Sequence, residues 1–364
     1  MTTRSKDIIF LLGAGASAEA GIPTSAQMIE RIEQLFTNNQ EWKPYLQLYN
    51  HVKSAIHYAS GLKGCFRDVP FNIETLVNTL YELERNEDHP LYPFIAAWNS
   101  RLVLLAGKDF EQVRKLRGLI LRELKRWMCP EDASQAQYYH GLTALQRDLN
   151  YPLRLFSLNY DLLVESLGSQ NFRVETGFPG FGPNQVWDWE RFEDSESSPT
   201  PIAETFLYKL HGSINWKRDQ AKNLYRVQQV ETVEAEQMEV IFGRDFKLEA
   251  ADPYLFYAYE FRKFTLAAKL IVTVGYGFGD AHINKMLIQS LRAERARKLV
   301  VIARCGDALQ RAEKLRAIAD RLECDADRRG QIELRPESAS SFLGAEKLSE
   351  SLLAMMPKEQ ETPF

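Results

Sequence analysis

The segment Ile8-Ile9-Phe10-Leu11-Leu12-Gly13-Ala14-Gly15-Ala16-Ser17-Ala18 decides how the chain is read. Its first five residues are apolar, the length and composition of a parallel strand buried on both faces. The run stops at Gly13-x-Gly15-x-x-Ala18, a spacing found in nucleotide-binding turns when a strand precedes it and a helix follows. There the first glycine permits a tight turn and the second brings main chain close to a pyrophosphate. The small third position lets a helix pack on the sheet. A helix N-terminus beyond the turn adds free amides and a partial positive charge. The same glycines also suit a plain turn. Arg4 and Lys6 ahead of the run, with Ala16-Ser17-Ala18 behind it, imitate a signal peptide. Asp7 opens the run, however, and the run is short, so the strand reading is the better one.

The next helix spans about 25–36, with Ile29, Ile32, Leu35 and Phe36 on one face. From about 40 to 150 apolar residues recur at helical spacing: Ile73, Leu76, Val77 and Leu80; Phe94, Trp98, Leu102 and Leu105; Val113, Leu116, Ile120, Leu124 and Trp127. This block is expected to be a helical insertion between the first two core strands, serving as a cover, a lid or an oligomer contact. Strands follow at 153–158, 206–210, 270–274 and 298–303, with an edge strand near 332–334 and a hairpin from 214–216 and 224–227. Helices are expected at 161–167, 253–269, from 281 to about 295, at 307–323 and at 339–355. Residues 176–203 read as a loop. The alternation predicts an α/β fold, a Rossmann-like parallel sheet covered by helices on both faces. One domain is expected over 1–356, with a polar tail from 357.

Lys plus Arg number 45 and Asp plus Glu 49, a formal net charge of −4 that gives no reason to expect nucleic-acid binding. Arg292, Arg295, Arg297 and Lys298 form a local basic run; a solvated helix face and its end explain it better than a nucleic-acid site. The four cysteines, 65, 129, 305 and 324, form no CxxC pair, so neither a zinc site nor a disulfide scaffold is indicated. A reducing, cytoplasmic setting is expected, and no stretch has membrane-spanning length.

Three further strand ends carry polar or glycine-rich groups, where open α/β sheets place ligand-binding residues. Asn159-Tyr160-Asp161 follows the second core strand. Asn159 suits a ribose hydroxyl or a water; Asp161 suits a carboxamide, or caps the next helix. Leu210-His211-Gly212-Ser213 offers a candidate general base, or a satisfied structural histidine. Gly275-Tyr276-Gly277-Phe278-Gly279-Asp280 implies close main-chain approach to a ligand, or a flexible loop with Asp280 as helix cap. No acidic residue ends a second strand about twenty positions past the first glycines, so a dehydrogenase of ordinary layout is disfavoured.

In this order the four pieces resemble the sirtuin-like NAD-binding family, and within it the bacterial NAD hydrolases found among antiphage defence effectors. The resemblance also takes in Gly21-Ile22-Pro23-Thr24 and Ile214-Asn215-Trp216. It implies that Gly13, Ala14, Gly15, Ala16 and Ser17 cradle the phosphates of NAD, with Gly21, Pro23 and Thr24 in the same cofactor loop. Asn159 would sit by the nicotinamide ribose and Asp161 by the carboxamide. His211 would act on ribose hydroxyls or the attacking water. Gly275, Gly277, Phe278 and Asp280 would lie on the adenosine side. Sirtuin deacylases differ: they carry an aromatic-Arg element where Thr24-Ser25 stands, and a four-cysteine zinc ribbon where this chain has no cysteine between His211 and Arg304. The implied activity is cleavage of NAD, as a substrate and without a metal, to nicotinamide and ADP-ribose. Alternatives are a sensing module that binds NAD or ADP-ribose without cleaving it, an ADP-ribosyltransferase, or a deacylase. Control would come from homo-oligomer assembly or a partner such as a HerA-like ATPase or an Argonaute-type protein.

Overall fold

The computed structural model describes residues 4–62, 64, 71–84, 100–130, 132–193, 203–241, 252–325 and 327–357. Phe94, Trp98, Cys65 and the tail beyond 357 lie outside them. Seven parallel strands form the main sheet in the order β3-β4-β2-β1-β7-β8-β9. They are β1 (Ile8–Leu12), β2 (Leu153–Ser157), β3 (Val174–Glu175), β4 (Thr205–Lys209), β7 (Leu270–Val274), β8 (Lys298–Ile302) and β9 (Ile332–Arg335). The expected hairpin is present as β5 (Trp216–Arg218) and β6 (Leu224–Arg226). β1 lies between β2 and β7. From β1 the chain first builds toward β2 and β4, then returns to add β7, β8 and β9. The strand order therefore reverses between β1 and β7, and their carboxyl ends flank the crevice where such sheets bind ligands.

Alternation along β1 explains the two faces. Ile8, Phe10 and Leu12 join one apolar cluster, Ile9 and Leu11 the other. The first cluster is closed by helices between β1 and β2: α1 (Ser25–Asn38), α2 (Leu46–Leu62), α3 (Ile73–Glu84), α4 (Ser100–Ala106), α5 (Glu111–Trp127) and α6 (His140–Leu149). The apolar stripe of α5, from Val113 to Trp127, is buried. The second face is covered by α7 (Tyr254–Ala267), α8 (Ala281–Ala293) and α9 (Ala308–Arg321).

Several expectations need correction. The chain after Gly13 makes two short 3-10 turns, at 14–16 and 18–20, and α1 begins only at Ser25. No α-helix dipole therefore starts at the glycine turn. The helix expected at 161–167 is a single 3-10 turn at 165–167. The closing helix is two, α10 (Ala339–Leu343) and α11 (Leu348–Met355), separated at Gly344. Arg297 is not part of a solvated basic face. It is buried, and its guanidinium donates to the carbonyls of Ala268 (2.6 Å), Ser290 and Leu266.

Candidate functional site at the strand ends

The turns after β1 and β7 meet main chain to main chain. Gly13 N donates to Val274 O and Gly15 N to Gly275 O, each at 2.9 Å. A Cβ on Gly15 would stand 2.8 Å from Gly275 Cα, and one on Gly13 would stand 2.7 Å from Tyr276 Cα. These glycines are thus required by each other. Gly15 N, Ala16 N and Ser17 N all donate to protein carbonyls, at 2.9, 2.8 and 3.2 Å. A phosphate seated here would meet the exposed Ala14 or displace these bonds, rather than enter a ring of free amides.

Ser17 is the hub below the turn. Its hydroxyl donates to Asp161 Oδ2 (2.8 Å) and accepts from Asn159 Nδ2 (3.0 Å). Tyr139 OH lies 3.1 Å away. One donor and two lone pairs are then all engaged, which makes Tyr139 the donor in its bond. Asn159 Nδ2 also donates to Gly13 O at 3.1 Å. That carbonyl fixes the amide orientation, because a flipped Asn159 would set oxygen against oxygen. With its N–H groups committed to the turn, Asn159 can offer a ligand only its side-chain oxygen. Asp161 Oδ1 accepts from Leu163 N at 3.1 Å in a local turn; the short 3-10 turn that follows is capped at Val164, so Asp161 caps no helix. All three residues are buried.

His211, one step beyond Leu210 at the end of β4, is 5% exposed, and its Nε2 lies 3.0 Å from Asp280 Oδ2. Asp280 is also the cap of α8: its Oδ1 accepts from His282 N (2.8 Å) and Ile283 N (3.0 Å). His211 Nδ1 is buried with no hydrogen-bond partner among the described residues. Burial disfavours the charged imidazole, but the Asp280 bond and the charges of Glu74 and Asp280 outweigh it, and His211 titrates above its ordinary value. Burial pushes Asp280 up; the His211 bond and charge and the two amides overcome this and hold it low.

The remaining expected residues are placed as follows. Gly21 has φ +87° and ends the second 3-10 turn, Pro23 is buried, and Thr24 caps α1, its N–H donating to Gln27 Oε1 at 2.8 Å. Gly277 is exposed, with space around its Cα. Phe278 is buried, its ring 4.6 Å from that of Tyr276 in the apolar cluster behind the sheet. The structure thus brings Gly13, Ser17, Asn159 and Asp161 into one bonded group, and His211 and Asp280 into another. The Phe278 side chain belongs to neither.

Two groups escaped the sequence reading because they come from the insertion. Tyr139 reaches Ser17, and Glu74 on α3 comes within 3.4 Å of Tyr160 OH, near enough to His211 for their charges to interact. Lys209 was also missed. It is 1% exposed, pairs with Glu165 Oε1 at 3.1 Å, and donates to the carbonyl of Asp161. A lysine inside an otherwise apolar strand was its one signal. A cleft of about 550 Å³ opens elsewhere, between Pro179–Trp189 and the β5–β6 hairpin, and includes none of these residues.

Residues 154–322 match the family model described as a SIR2-like domain. The matched segment contains Asn159, Asp161, His211 and the Gly275–Asp280 turn; β1 and the insertion lie before it. No curated protein matches the chain by sequence. Among solved structures, a Sir2 homologue mutant with 2'-O-acetyl ADP ribose is similar at TM-score 0.41 and 14% identity, covering 98% of this chain and 95% of that one. A Sir2 homologue–NAD complex is similar at TM-score 0.40 and 14% identity, covering 96% and 91%. Likenesses this distant carry no functional information by themselves.

Proposed function

We propose that this chain is an NAD hydrolase, cleaving the nicotinamide–ribose bond to give nicotinamide and ADP-ribose. The observation that carries the proposal is the arrangement inside the SIR2-like segment. An amide, Asn159, is fixed on the glycine turn, and an imidazole, His211, is fixed by a carboxylate at a nearby strand end. Nicotinamide leaves a pyridinium as a neutral molecule, so no general acid is needed. The barrier is the ribosyl cation, the same kind of transition state that glycosidases stabilise with carboxylates.

Each residue has a part in that chemistry. Glu74 and Asp280 beside His211 make the region favourable to developing positive charge. Asn159 presents an acceptor oxygen to a ribose hydroxyl or a water. His211, when neutral, takes a proton through Nδ1, the ring nitrogen not bonded to Asp280. The Ser17 hub fixes the turn against which the dinucleotide would lie. Ala14 and the Gly13–Ser17 turn are the proposed phosphate side, and Gly275 and Gly277 the adenosine side.

The test is direct. Purified protein is incubated with NAD, alone and with the product of its genomic neighbour, and free nicotinamide is followed by chromatography. Wild type should release nicotinamide; Asn159→Ala and His211→Ala, if their near-UV spectra remain native, should not. Full turnover by both variants would sink the assignment. Tight ADP-ribose binding without nicotinamide release in any assembly state would favour the sensing module. A cell-NAD-depleting role in antiphage defence, in the cytoplasm and under control of self-assembly or a HerA-like or Argonaute-type partner, is the wider proposal. Among the described residues no helix is long and apolar enough to cross a membrane.

A further inference from the structure

We infer that Glu74, carried to the strand ends by α3 of the helical insertion, is a positioning residue for His211, so that the insertion is part of the site and not only its cover. The geometry is a short relay. Tyr160 OH donates to Ile241 O at 2.8 Å and makes a long contact of 3.4 Å with Glu74 Oε1. Ile241 N in turn donates to the main-chain carbonyl of His211 at 2.8 Å. The Tyr160 and His211 rings lie 6.3 Å apart, centre to centre. Glu74 is thereby tied to the backbone that carries the imidazole, while Asp280 holds the imidazole itself.

Sequence explains how Glu74 reaches this position. Ile73, Leu76, Val77 and Leu80 pin one face of α3 into the core. Glu74 follows the first of these, in the opening turn of the helix. Part of its side chain stays accessible, yet protein surrounds it densely enough that burial pushes its carboxyl above the ordinary range. The His211 charge opposes that rise and Asp280 reinforces it. The ionisable groups facing His211 are then Asp280 at the start of α8, Glu74 on α3 and the Tyr160 phenol. Burial keeps the phenols of Tyr160, Tyr254 and Tyr276 un-ionised through the neutral range.

Asp280 holds the imidazole by a hydrogen bond, and Glu74, without touching the ring, adds a second negative charge that keeps its proton to higher pH. The Nδ1 of His211 is buried and without a hydrogen-bond partner among the described residues, so the Asp280 pair leaves one ring nitrogen uncommitted, as a purely structural pair need not.

The catalytic part of the inference rests on the NAD-cleavage reading; the titration part does not. The experiment therefore has two readouts on full-length wild type, Glu74→Gln, and Glu82→Gln, which neutralises an exposed carboxylate on the same helix. The first is the His211 titration midpoint by NMR with labelled histidine, assigned through His211→Ala. The second is kcat/KM for nicotinamide release across pH. Glu74→Gln should lower the His211 midpoint, shift the acid limb of the rate profile with it, and lose on the order of tenfold in kcat with KM little changed. Glu82→Gln should match wild type in both. If Glu74→Gln is too unstable, Tyr160→Phe, which cuts the relay, is measured instead and should lower kcat with the fold intact. A His211 midpoint in Glu74→Gln equal to that in Glu82→Gln overturns the inference. A shifted midpoint in a protein that releases no nicotinamide upholds the positioning and overturns only the NAD-cleavage reading.

Discussion

Gly275 is packed against Ala16 so closely that a Cβ on the glycine would come 2.1 Å from the Ala16 nitrogen, and its φ of +65° is one that side chains resist. The two turns at the β1–β7 reversal are therefore locked together by backbone. Gly275→Ala should cost about 3 kcal/mol or more in stability, from overpacking and the left-handed conformation together. Gly277→Ala, two residues on with open space around it, should cost under about 1 kcal/mol. Urea denaturation of the pair checks this; equal stability would contradict the interlock.

Ser17 makes the second prediction. Its hydroxyl serves Asn159, Asp161 and Tyr139 at once. Ser17→Ala strands two buried donors and weakens a buried carboxylate, for a loss of about 2–4 kcal/mol. It should also leave the Asn159 amide held by the Gly13 carbonyl alone, so NAD turnover should fall more steeply than the folded fraction. Activity measured well below the melting temperature separates the two effects.

Why these contacts could not be foreseen is a matter of distance along the chain. β1, β7 and β8 were legible because short, largely apolar runs rich in Ile, Leu and Val have few other uses. β3 was not, since two paired residues leave no periodicity to detect. Asn159 and His211 stood out as polar groups at strand ends. Glu74 did not: on α3 it is one carboxylate among several, and only the folded insertion brings it to Tyr160. The glycine turn was read as shaped for a ligand, and the structure adds that its glycines are shaped for each other. Spacing alone cannot separate those two demands, because both are met by the missing Cβ.

Lys209 supplies a third prediction. Its ammonium is buried against Glu165 and the Asp161 carbonyl, and burial pushes Glu165 above the ordinary carboxylate range despite the lysine. Lys209→Met leaves that carboxylate unpaired and should cost about 3–5 kcal/mol. Adding Glu165→Leu should recover much of the loss, since the carboxylate stranded by the loss of Lys209 is then removed as well. A double variant no more stable than the single would show that Lys209 acts through the Asp161 carbonyl instead.

The His211–Asp280 pair gives a prediction in which pH fixes the sign. His211 is raised in the folded state, so its contribution to stability is complete below its unfolded value of about 6.5 and is lost as pH rises through the folded value. Asp280 is lowered, so its contribution is complete above about 3.9 and is lost as pH falls through the folded value. The pair therefore contributes most between roughly pH 4 and 6.5. Asp280→Asn removes the charge, while asparagine remains a good cap for α8. The stability difference from wild type should be largest inside that window and shrink on the alkaline side. Nicotinamide release should respond in step: if neutral His211 is the base, the acid limb of kcat/KM lies above pH ~6.5 in wild type. It should move to lower pH in Asp280→Asn as the imidazole loses its partner. A stability difference that does not vary with pH, together with an unmoved acid limb, would mean that Asp280 is only a helix cap and that the imidazole does not depend on it.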